Sequence, residues 1–417
     1  MDISVLIPAL NEGRNLKLLL PLLKFNLGLL GSDYEIIIID GGSKDDTLEA
    51  AREFGGKVIA QSRKGFGFAL REGFKAAKGK YILTMDADLS HEPKYVHRMW
   101  SKRFDADLII ASRYVDGGSA QMHIFRYILS RILNNFYAFA LSLKIKDLSS
   151  NFRMYRKEII DCISTDSVNF DILPELLLKI YCNGWRIIEV PFSYKTRGSG
   201  RSHIKLIRFG LDYFKTLLKI WSLRNSINSV DYDFRAFYSK IFLQKFWQRS
   251  RYKTILSFVD RKSFFLDVGC GSSKIIIDSP NAIGLDLSLG KLRFLSGNHN
   301  KLVNADITNL PFKDASFDCV ICSQVIEHIA GKTVIAELAR VVNKGGLLVL
   351  GTPDYAKIMW RIFEYLYSIV HSKGYVEQHV THYTYEELKK FLEQAGFEIL
   401  RRAYILNAEL IIKARKI

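Results

Sequence analysis

Three groups of acids and amides stand out in the amino-terminal part of the chain: Asn11-Glu12, Asp40, and the pair Asp86 and Asp88 around Ala87. Each closes a short apolar run, Ile3–Pro8, Glu35–Asp40 and Tyr81–Asp86, of the kind that forms a strand. Carboxylates collected at one edge of a sheet make a ligand site. Asp86 and Asp88 flank a small residue, so both side chains reach one cation while the chain turns. Hard ions such as Mg2+ or Mn2+ take carboxylate oxygens and keep positions open for diphosphate oxygens. There they neutralise a departing nucleotide diphosphate. An isolated Asp-x-Asp equally describes a solvated turn, so its surroundings must decide.

Further along, Arg126 and Ser130 lie four apart on one side of a helical stretch, Met122–Leu143, that is otherwise apolar. A cation and a hydroxyl among apolar residues suit a phosphate carried on an apolar tail. A different constellation opens the second half. Phe264–Val268 is an apolar strand running into Gly269-Cys270-Gly271, and Gly284-Leu285-Asp286 closes the next strand. Glycines let the backbone approach a ligand there, and the acid at the second strand's end accepts hydrogen bonds from ribose hydroxyls.

The elements that must position these groups alternate. Strands at Ile3–Pro8, Glu35–Asp40, Lys57–Ala60, Tyr81–Asp86 and Asp107–Ala111 enclose helices near Arg14–Phe25, Asp45–Phe54 and Phe68–Ala77. This predicts an α/β, doubly wound, mostly parallel sheet with its ligands at the carboxyl ends of strands. The pattern restarts after Asp260 and ends in Glu398–Ala403 and Asn407–Ala414. One sheet does not easily absorb both series, so two doubly wound domains are expected: 1–225, then 226–249 as linker and leading helix, then 250–417.

The formal net charge of +17 calls for polyanionic partners: nucleic acid, an anionic membrane, or phosphorylated substrates. Between Lys195 and Arg224 stand eight Lys or Arg against one acid, Asp212. From His203 onward they follow helical spacing. Lys205, Arg208, Asp212, Lys215 and Lys219 share one face, and Ile207, Leu211, Phe214, Leu218 and Trp221 another. Such a helix lies in a bilayer interface or docks on its own domain. Cations beside apolar faces, without aromatic stacking motifs, argue against nucleic acid. No run approaches 18 uninterrupted apolar residues, so no span is expected. Met1 runs straight into Ile3–Ile7 with no leader pattern, and the five cysteines have no framework spacing. The expectation is a cytoplasmic protein held peripherally at the inner face of the cell membrane, with Cys319 and Cys322 structural.

The segments Ile7-Pro8-Ala9-Leu10-Asn11-Glu12, Asp40-Gly41-Gly42-Ser43-Lys44-Asp45-Asp46-Thr47 and Asp86-Ala87-Asp88-Leu89-Ser90-His91 together resemble the family-2 glycosyltransferases of GT-A fold. Ala111-Ser112-Arg113-Tyr114-Val115-Asp116-Gly117-Gly118, Ser150-Asn151-Phe152-Arg153-Met154-Tyr155-Arg156 and Gly184-Trp185-Arg186-Ile187-Ile188-Glu189-Val190-Pro191 look like the dolichol-phosphate mannosyltransferase branch. The resemblance covers about 1–225. It implies that Pro8, Asn11, Glu12 and Asp40 hold the nucleotide sugar, GDP- or UDP-linked, and that Asp86 and Asp88 hold the metal. Arg113, Arg126 and Ser130 would then bind a polyprenyl or dolichyl phosphate. For either arginine alone, an ion pair within the domain is the competing reading. A phosphate oxygen is already anionic at neutral pH, so no general base is required. Two positions depart from the pattern: Gly41 replaces a second acid, and Ser90 an amide. There is no Gln-x-x-Arg-Trp, the motif of processive synthases, which favours transfer of a single hexose of mannose or glucose type.

Asn304-Ala305-Asp306, Leu310-Pro311-Phe312, Phe317–Cys322, Glu327-His328 and Asn343–Leu350 follow the glycine turn in the order seen in class I S-adenosylmethionine-dependent methyltransferases, which the chain resembles over about 250–417. The resemblance implies a Rossmann-like fold with Asp267, Gly269 and Gly271 around the methionine moiety, Asp286 on the ribose and Asp306 near the adenine. Ser273 replaces the third glycine, where a side chain either tightens the pocket or weakens cofactor binding or activity; the two readings of the domain are methylation of the sugar or a related glycan or lipid intermediate, and a module that only binds the cofactor. His379 and His382, near Tyr383, are candidate bases or caps of the following helix, and His328 ends a turn. The apolar Ile358–Val370 is a lid or ordinary packing.

Overall fold

The computed structural model describes residues 1–196, 206–260, 262–331, 333–370 and 379–417, without the side chains of 206–209 and 367–370. It divides into two compact units, Met1–Arg224 and Asn225–Ile417.

In the first unit β1 (Ile3–Ala9), β2 (Tyr34–Asp40), β3 (Lys57–Ala60), β4 (Tyr81–Thr84), β5 (Leu108–Ser112), β7 (Arg153–Arg156) and β8 (Ile187–Pro191) form one sheet in the order β3-β2-β1-β4-β7-β5-β8. Two further short strands, β6 (Ser119–Ala120) and β9 (Ser193–Tyr194), pair with each other. The long Ile and Val runs reflect burial on both faces. Along β1, Ile3, Val5 and Ile7 enter one core cluster with Leu16, Leu20 and Leu23 of the helix Gly13–Gly28. Leu6 enters the opposite one, with Leu70, Phe74 and Tyr137. The sheet is parallel except at β7, which runs antiparallel to both β4 and β5.

That insertion has an anchor. Arg153, at the start of β7, is wholly buried, and its guanidinium donates to the carbonyls of Ser150 (2.7 Å), Leu173 (2.9 Å) and Leu148 (2.6 Å). It thus replaces water for three carbonyls of a loop and a helix that no strand satisfies.

The helix Leu206–Asn225 differs from its expected two-faced form. Tyr213, Leu217, Ile220 and the aliphatic stem of Arg224 are buried, while the predicted apolar face, Leu211, Phe214, Leu218 and Trp221, is exposed. The buried stripe packs on the helices of its own unit, so the second apolar stripe is surplus to folding. Lys219 is paired with Asp166 (2.6 Å) and Glu175 (3.2 Å). Asp212 accepts from Asn169 (2.7 Å). Lys205 lies outside the described residues, as do the side chains of Ile207 and Arg208. Among the described residues no helix is long and apolar enough to cross a membrane.

In the second unit β10 (Leu266–Val268), β11 (Ile283–Asp286), β12 (Leu302–Asn304), β13 (Phe317–Ser323) and β14 (Val342–Pro353) are parallel. The antiparallel β15 (Phe397–Ile405) and β16 (Glu409–Lys416) complete the order β12-β11-β10-β13-β14-β16-β15. Cys319 and Cys322 are buried in β13 beside Leu347 and Leu350. The interval 226–249, expected as linker and leading helix, is part of this unit. Its helix Tyr232–Phe237 is latched to the glycine turn, with Asp233 N donating to Ser272 Oγ (3.1 Å) and Ser272 N to Asp233 Oδ2 (3.1 Å).

Replacing Arg153 by Met removes its donors from those three carbonyls. At about 1–3 kcal/mol for each buried unsatisfied group, the first unit is expected to lose several kcal/mol, measured as a fall in the denaturant midpoint by circular dichroism. A midpoint within error of wild type contradicts the anchoring role.

Candidate functional site

Because β2, β1 and β4 are adjacent and parallel, their carboxyl ends share one edge, with Ala9 opposite Asp40 and Leu6 opposite Thr84. Asp40, buried at the end of β2, accepts from the amides of Gly42 (3.1 Å) and Ser43 (3.2 Å) and shapes that turn. Asn11, at a left-handed φ of 56°, accepts from Lys44 N (2.8 Å), and its own amide donates to Ser43 Oγ (2.9 Å). The Glu12 carboxylate meets Asn15, and its amide donates to Thr47 Oγ1 (2.9 Å). Pro8 is half-buried in β1. The loops after β1 and β2 are therefore one hydrogen-bonded body.

Asp86 and Asp88 follow β4. Asp86 Oδ1 accepts from Asn151 Nδ2 (2.9 Å), and Asn151 is held in turn by its carbonyl, which accepts from Thr84 Oγ1 (2.5 Å). His91 is buried, stacked on Phe152 with centroids 4.9 Å apart. Burial pushes its imidazole below the ordinary range, against the pull of Asp86 and Asp88. As a neutral ring whose Nδ1 accepts from Asp86 N (3.0 Å), it carries its proton on Nε2, 3.7 Å from Asp86 Oδ2. Asp88, buried, accepts from Ser90 N (3.1 Å) and Ser90 Oγ (2.5 Å). Two carboxylates oriented by a shell of amide, imidazole and hydroxyl match the oxygen donor set of a hard divalent ion.

Of the expected phosphate ligands, Arg113 is committed elsewhere. Its Nε and Nη2 form a two-pronged pair with Asp147 (2.8 and 2.7 Å), and Nη2 also donates to Ser149 Oγ (2.8 Å). Burial opposes the Asp147 charge, but Arg113 outweighs it and holds the carboxyl below its usual range. The ion-pair reading of Arg113 is the one observed, because Asp147 is wholly buried and needs a cation. Arg126 is exposed on the helix Ile124–Ala140. Ser130 Oγ accepts from Tyr114 Oη (2.7 Å). Tyr194 joins the two sides. Its phenol is pushed up by burial and by the charges of Asp88 and Asp86, while Arg126 pulls it down. Arg113 lies over its ring at 5.6 Å.

In the second unit Asp267, Gly269 and Gly271 line a cavity of about 110 Å³ together with Asp233, Ser273, Ser323, Gln324 and Lys291. Four of its buried polar atoms have no hydrogen-bond partner: Asp267 Oδ2, Ser273 Oγ, Ser323 Oγ and Gln324 Nε2. Buried polar groups are satisfied in folded proteins, so this concentration marks a place built for a polar ligand. Burial, with Asp286 and Asp233 nearby, pushes the Asp267 carboxyl up to about 8. Gly269 has φ +69°, and a Cβ there would meet Val325 Cγ2 at 2.2 Å. Asp286 turns its carboxylate into the glycine turn, accepting from Gly271 N (2.8 Å) and Ser288 N (2.7 Å). Asp306 sits apart on an exposed turn, accepting from Thr308 N and Oγ1 (both 2.8 Å). Neither lines the cavity.

Comparison with known proteins agrees with this two-part layout. The profile of glycosyl transferase family 2 matches residues 4–164, and that of a methyltransferase domain residues 266–350. The dolichol-phosphate mannosyltransferase of Pyrococcus furiosus is 33% identical over 240 residues, which is 55% of this chain and 66% of that protein. The chain thus spans slightly under two thirds of that relative. The polyprenol monophosphomannose synthase of Mycolicibacterium smegmatis is 30% identical over 241 residues, 54% of this chain and 88% of that protein. The chain belongs to glycosyl transferase family 2. It carries a methyltransferase domain after the family-2 domain. A solved glucosyl-3-phosphoglycerate synthase from Mycobacterium tuberculosis, in complex with Mn2+ and UDP-glucose, aligns with a TM-score of 0.43 at 20% identity, over 52% of this chain and 78% of that one.

Within the family-2 domain, sequence reasoning missed Asn151, His91, Asp147 and Tyr194. Asn151 and His91 stood inside recognised segments, where an amide or imidazole near an acid pair was an available signal. Asp147 and Tyr194 had none, since only tertiary contact shows what they hold. In the methyltransferase domain the missed residues are Asp233, Ser323 and Gln324. His379 and His382 do not cap the helix Tyr385–Gln394, because Thr384 does so through a capping box with Glu387.

A cationic methyl donor, were it bound beside Asp267, would favour the carboxylate. With burial pushing that carboxyl up to about 8, binding of S-adenosylmethionine there would be expected to release a proton at neutral pH. Calorimetric titration in buffers of different ionisation enthalpy measures this, and Asp267→Asn should abolish it. Asp267 also makes the free domain less stable as pH rises from about 4 through 8, since an acid whose folded pKa is raised contributes stability only while protonated.

Proposed function

We propose that the first unit transfers a single hexose, of mannose or glucose type, from a GDP- or UDP-linked sugar to a polyprenyl or dolichyl phosphate at a membrane surface. We propose further that the second unit methylates that sugar or a related glycan or lipid intermediate. The observation that carries the first part is the helix Ile124–Ala140. Ile124, Phe125, Ile128, Leu129, Ile132, Phe136 and Phe139 are all exposed on it, between about half and four-fifths of their surface. The same helix bears Arg126 and Ser130. A phosphate at Arg126 therefore has an apolar track for its tail, and across Tyr194 it faces the acids of the donor edge. The names of the archaeal and mycobacterial relatives support a prenyl-phosphate acceptor and a mannose-type sugar.

In this reading Asp86 and Asp88 would hold a Mg2+ or Mn2+ ion, which supplies positive charge to the departing diphosphate. Asn151 and His91 keep Asp86 aimed. Asp40, Asn11, Glu12 and Pro8 frame the nucleotide pocket. The acceptor phosphate is its own nucleophile, so the chain positions it through Arg126 and Ser130 and excludes water rather than removing a proton. Arg113 acts on this side by ordering Tyr114 and Tyr194 beneath its guanidinium. The exposed stripes of Ile124–Ala140 and Leu206–Asn225 rest in the bilayer interface, aided by cations that each contribute roughly 1 kcal/mol near anionic lipid. This gives a peripheral protein at the inner face of the cell membrane. In the second unit Asp267, Gly269 and Gly271, with Asp233, Ser273 and Gln324, would hold the methionine end of S-adenosylmethionine, which supplies the methyl group. Asp286 keeps the glycine turn in shape, and Asp306 lies toward the adenine end.

Asp88→Ala is expected to abolish sugar transfer to prenyl phosphate while leaving calorimetric binding of S-adenosylmethionine unchanged, and joint loss contradicts separate sites. The pair Ile128→Asp and Ile132→Asp should lower sedimentation with anionic liposomes by about tenfold or more, given roughly 1.5–3 kcal/mol per buried aliphatic side chain. Unchanged sedimentation removes the membrane from the proposal. Mass spectrometry of products from prenyl phosphate, nucleotide sugars and S-adenosylmethionine tests the second unit, and cofactor binding without any methylated product would reduce it to a binding module.

A further inference from the structure

Beyond the cavity, the second unit holds another polar cluster at the carboxyl ends of β13 and β14. Glu327 and His328 end the short turn Ile326–His328 that follows β13, and His379 arrives from the segment leading to the helix Tyr385–Gln394. One ligand atom of each lies within 4.8 Å of the other two. Glu327 is 1% exposed. Its Oε2 accepts from Thr352 Oγ1 (3.1 Å), but Oε1 is buried with no hydrogen-bond partner.

The approach of His379 is built rather than accidental. Val380 N and Thr381 N both donate to the Glu327 carbonyl (2.8 and 3.0 Å), and Thr381 Oγ1 donates to Ile329 O (2.8 Å). Those bonds fix the segment against the turn. His379 is buried, with Trp360 stacked at 5.9 Å. Its Nδ1 lies 2.7 Å from Tyr355 Oη, which in turn donates to Glu364 Oε1 (3.0 Å). With that hydroxyl proton turned to Glu364, Tyr355 accepts from Nδ1–H, so the imidazole lone pair is on Nε2. A chain from carboxylate through phenol to imidazole is how proteins orient a metal-binding histidine and fix its tautomer.

We propose that Glu327, His328 and His379 bind a divalent first-row transition metal ion, with Zn2+ the ion best suited to two imidazoles and one carboxylate. The ion would give the stranded Glu327 oxygen its partner and clamp the segment after residue 378 to the end of β13. Three protein ligands are the pattern of metal sites that keep a position open, where a fourth ligand enters. Ser323 and Gln324, just before the turn, line the cofactor cavity. An oxygen of the methyl acceptor is therefore the class of ligand that would take the open position, and this last step alone rests on the methyltransferase reading above.

The test uses the full chain, stripped with chelator and titrated with Co2+ as a visible stand-in for Zn2+. The expected result is one equivalent showing the absorption of nitrogen-ligated cobalt, displaced by Zn2+, unchanged in Asp88→Asn and lost in both Glu327→Gln and His328→Ala. His328 is half-buried, so its variant is expected to keep the wild-type far-ultraviolet spectrum even where Glu327→Gln unfolds. No such absorption in the wild-type chain, or equal absorption in a folded His328→Ala, overturns the site. The readout uses the metal alone, so a chain that never transfers a methyl group can still pass it, and a failed titration leaves the cofactor cavity untouched.

Discussion

A carboxylate taken out of water must meet a cation or several donors, and the way this chain meets that demand orders both units. Asp147 has Arg113 in two-pronged contact. Glu409, wholly buried, has Arg251 at 2.6 and 2.7 Å and the Trp247 indole. Glu175 has Lys179 and the amides of Asp166 and Ser167; burial works against its charge, but these partners bring the carboxyl down to about 2. These acids belong to the framework, and each fixes a loop or a strand end. Asp267 and Glu327 are as deeply buried yet each keeps an oxygen without a partner, and burial drives both up to about 8. The contrast separates groups that hold the fold from groups held ready for something that arrives.

Both units place their candidate-site acids at or near the carboxyl ends of parallel strands, where successive loops converge. In the first unit the neighbours β2, β1 and β4 set three acidic loops side by side, and the antiparallel β7 then interrupts the series. Because Arg153 ties the loop before β7 to the helix Ile172–Cys182, Asn151 reaches back to Asp86. The loop leading into an out-of-order strand thereby contributes a residue to the candidate site that the sequential strands begin.

Most strands and the acidic edge were legible in the sequence, because apolar runs ending in Asn11, Asp40 and Asp86 carry both the element and its boundary. Less legible was anything that depends on which of two similar surfaces is covered. In Leu206–Asn225 both Tyr213-Leu217-Ile220 and Leu211-Phe214-Leu218 recur at helical spacing, and composition does not say which stripe meets a neighbour. The same limit applies to contacts far apart in the chain. Glu327-His328 is visible as a pair, but His379 joins it only because hydrogen bonds to the Glu327 carbonyl fold the later segment back. Asp233 was hidden for another reason: it lies on a six-residue helix in an interval too polar to announce a packed element, and its latch to Ser272 is a tertiary event.

The small pairing of β6 with β9 ties Tyr194 to the start of the helix that carries Arg126. Tyr194 lies in β9, its carbonyl accepts from Gln121 N (2.8 Å), and the helix with Arg126 begins three residues later. In the proposed function, a ligand at Asp86 and Asp88 and a phosphate at Arg126 would border the same tyrosine, which this backbone bond ties to the root of that helix. Were one ligand to tighten the other, thermodynamic reciprocity would make the effect equal in both directions. Any such coupling would pass through the two-stranded ribbon of β6 and β9.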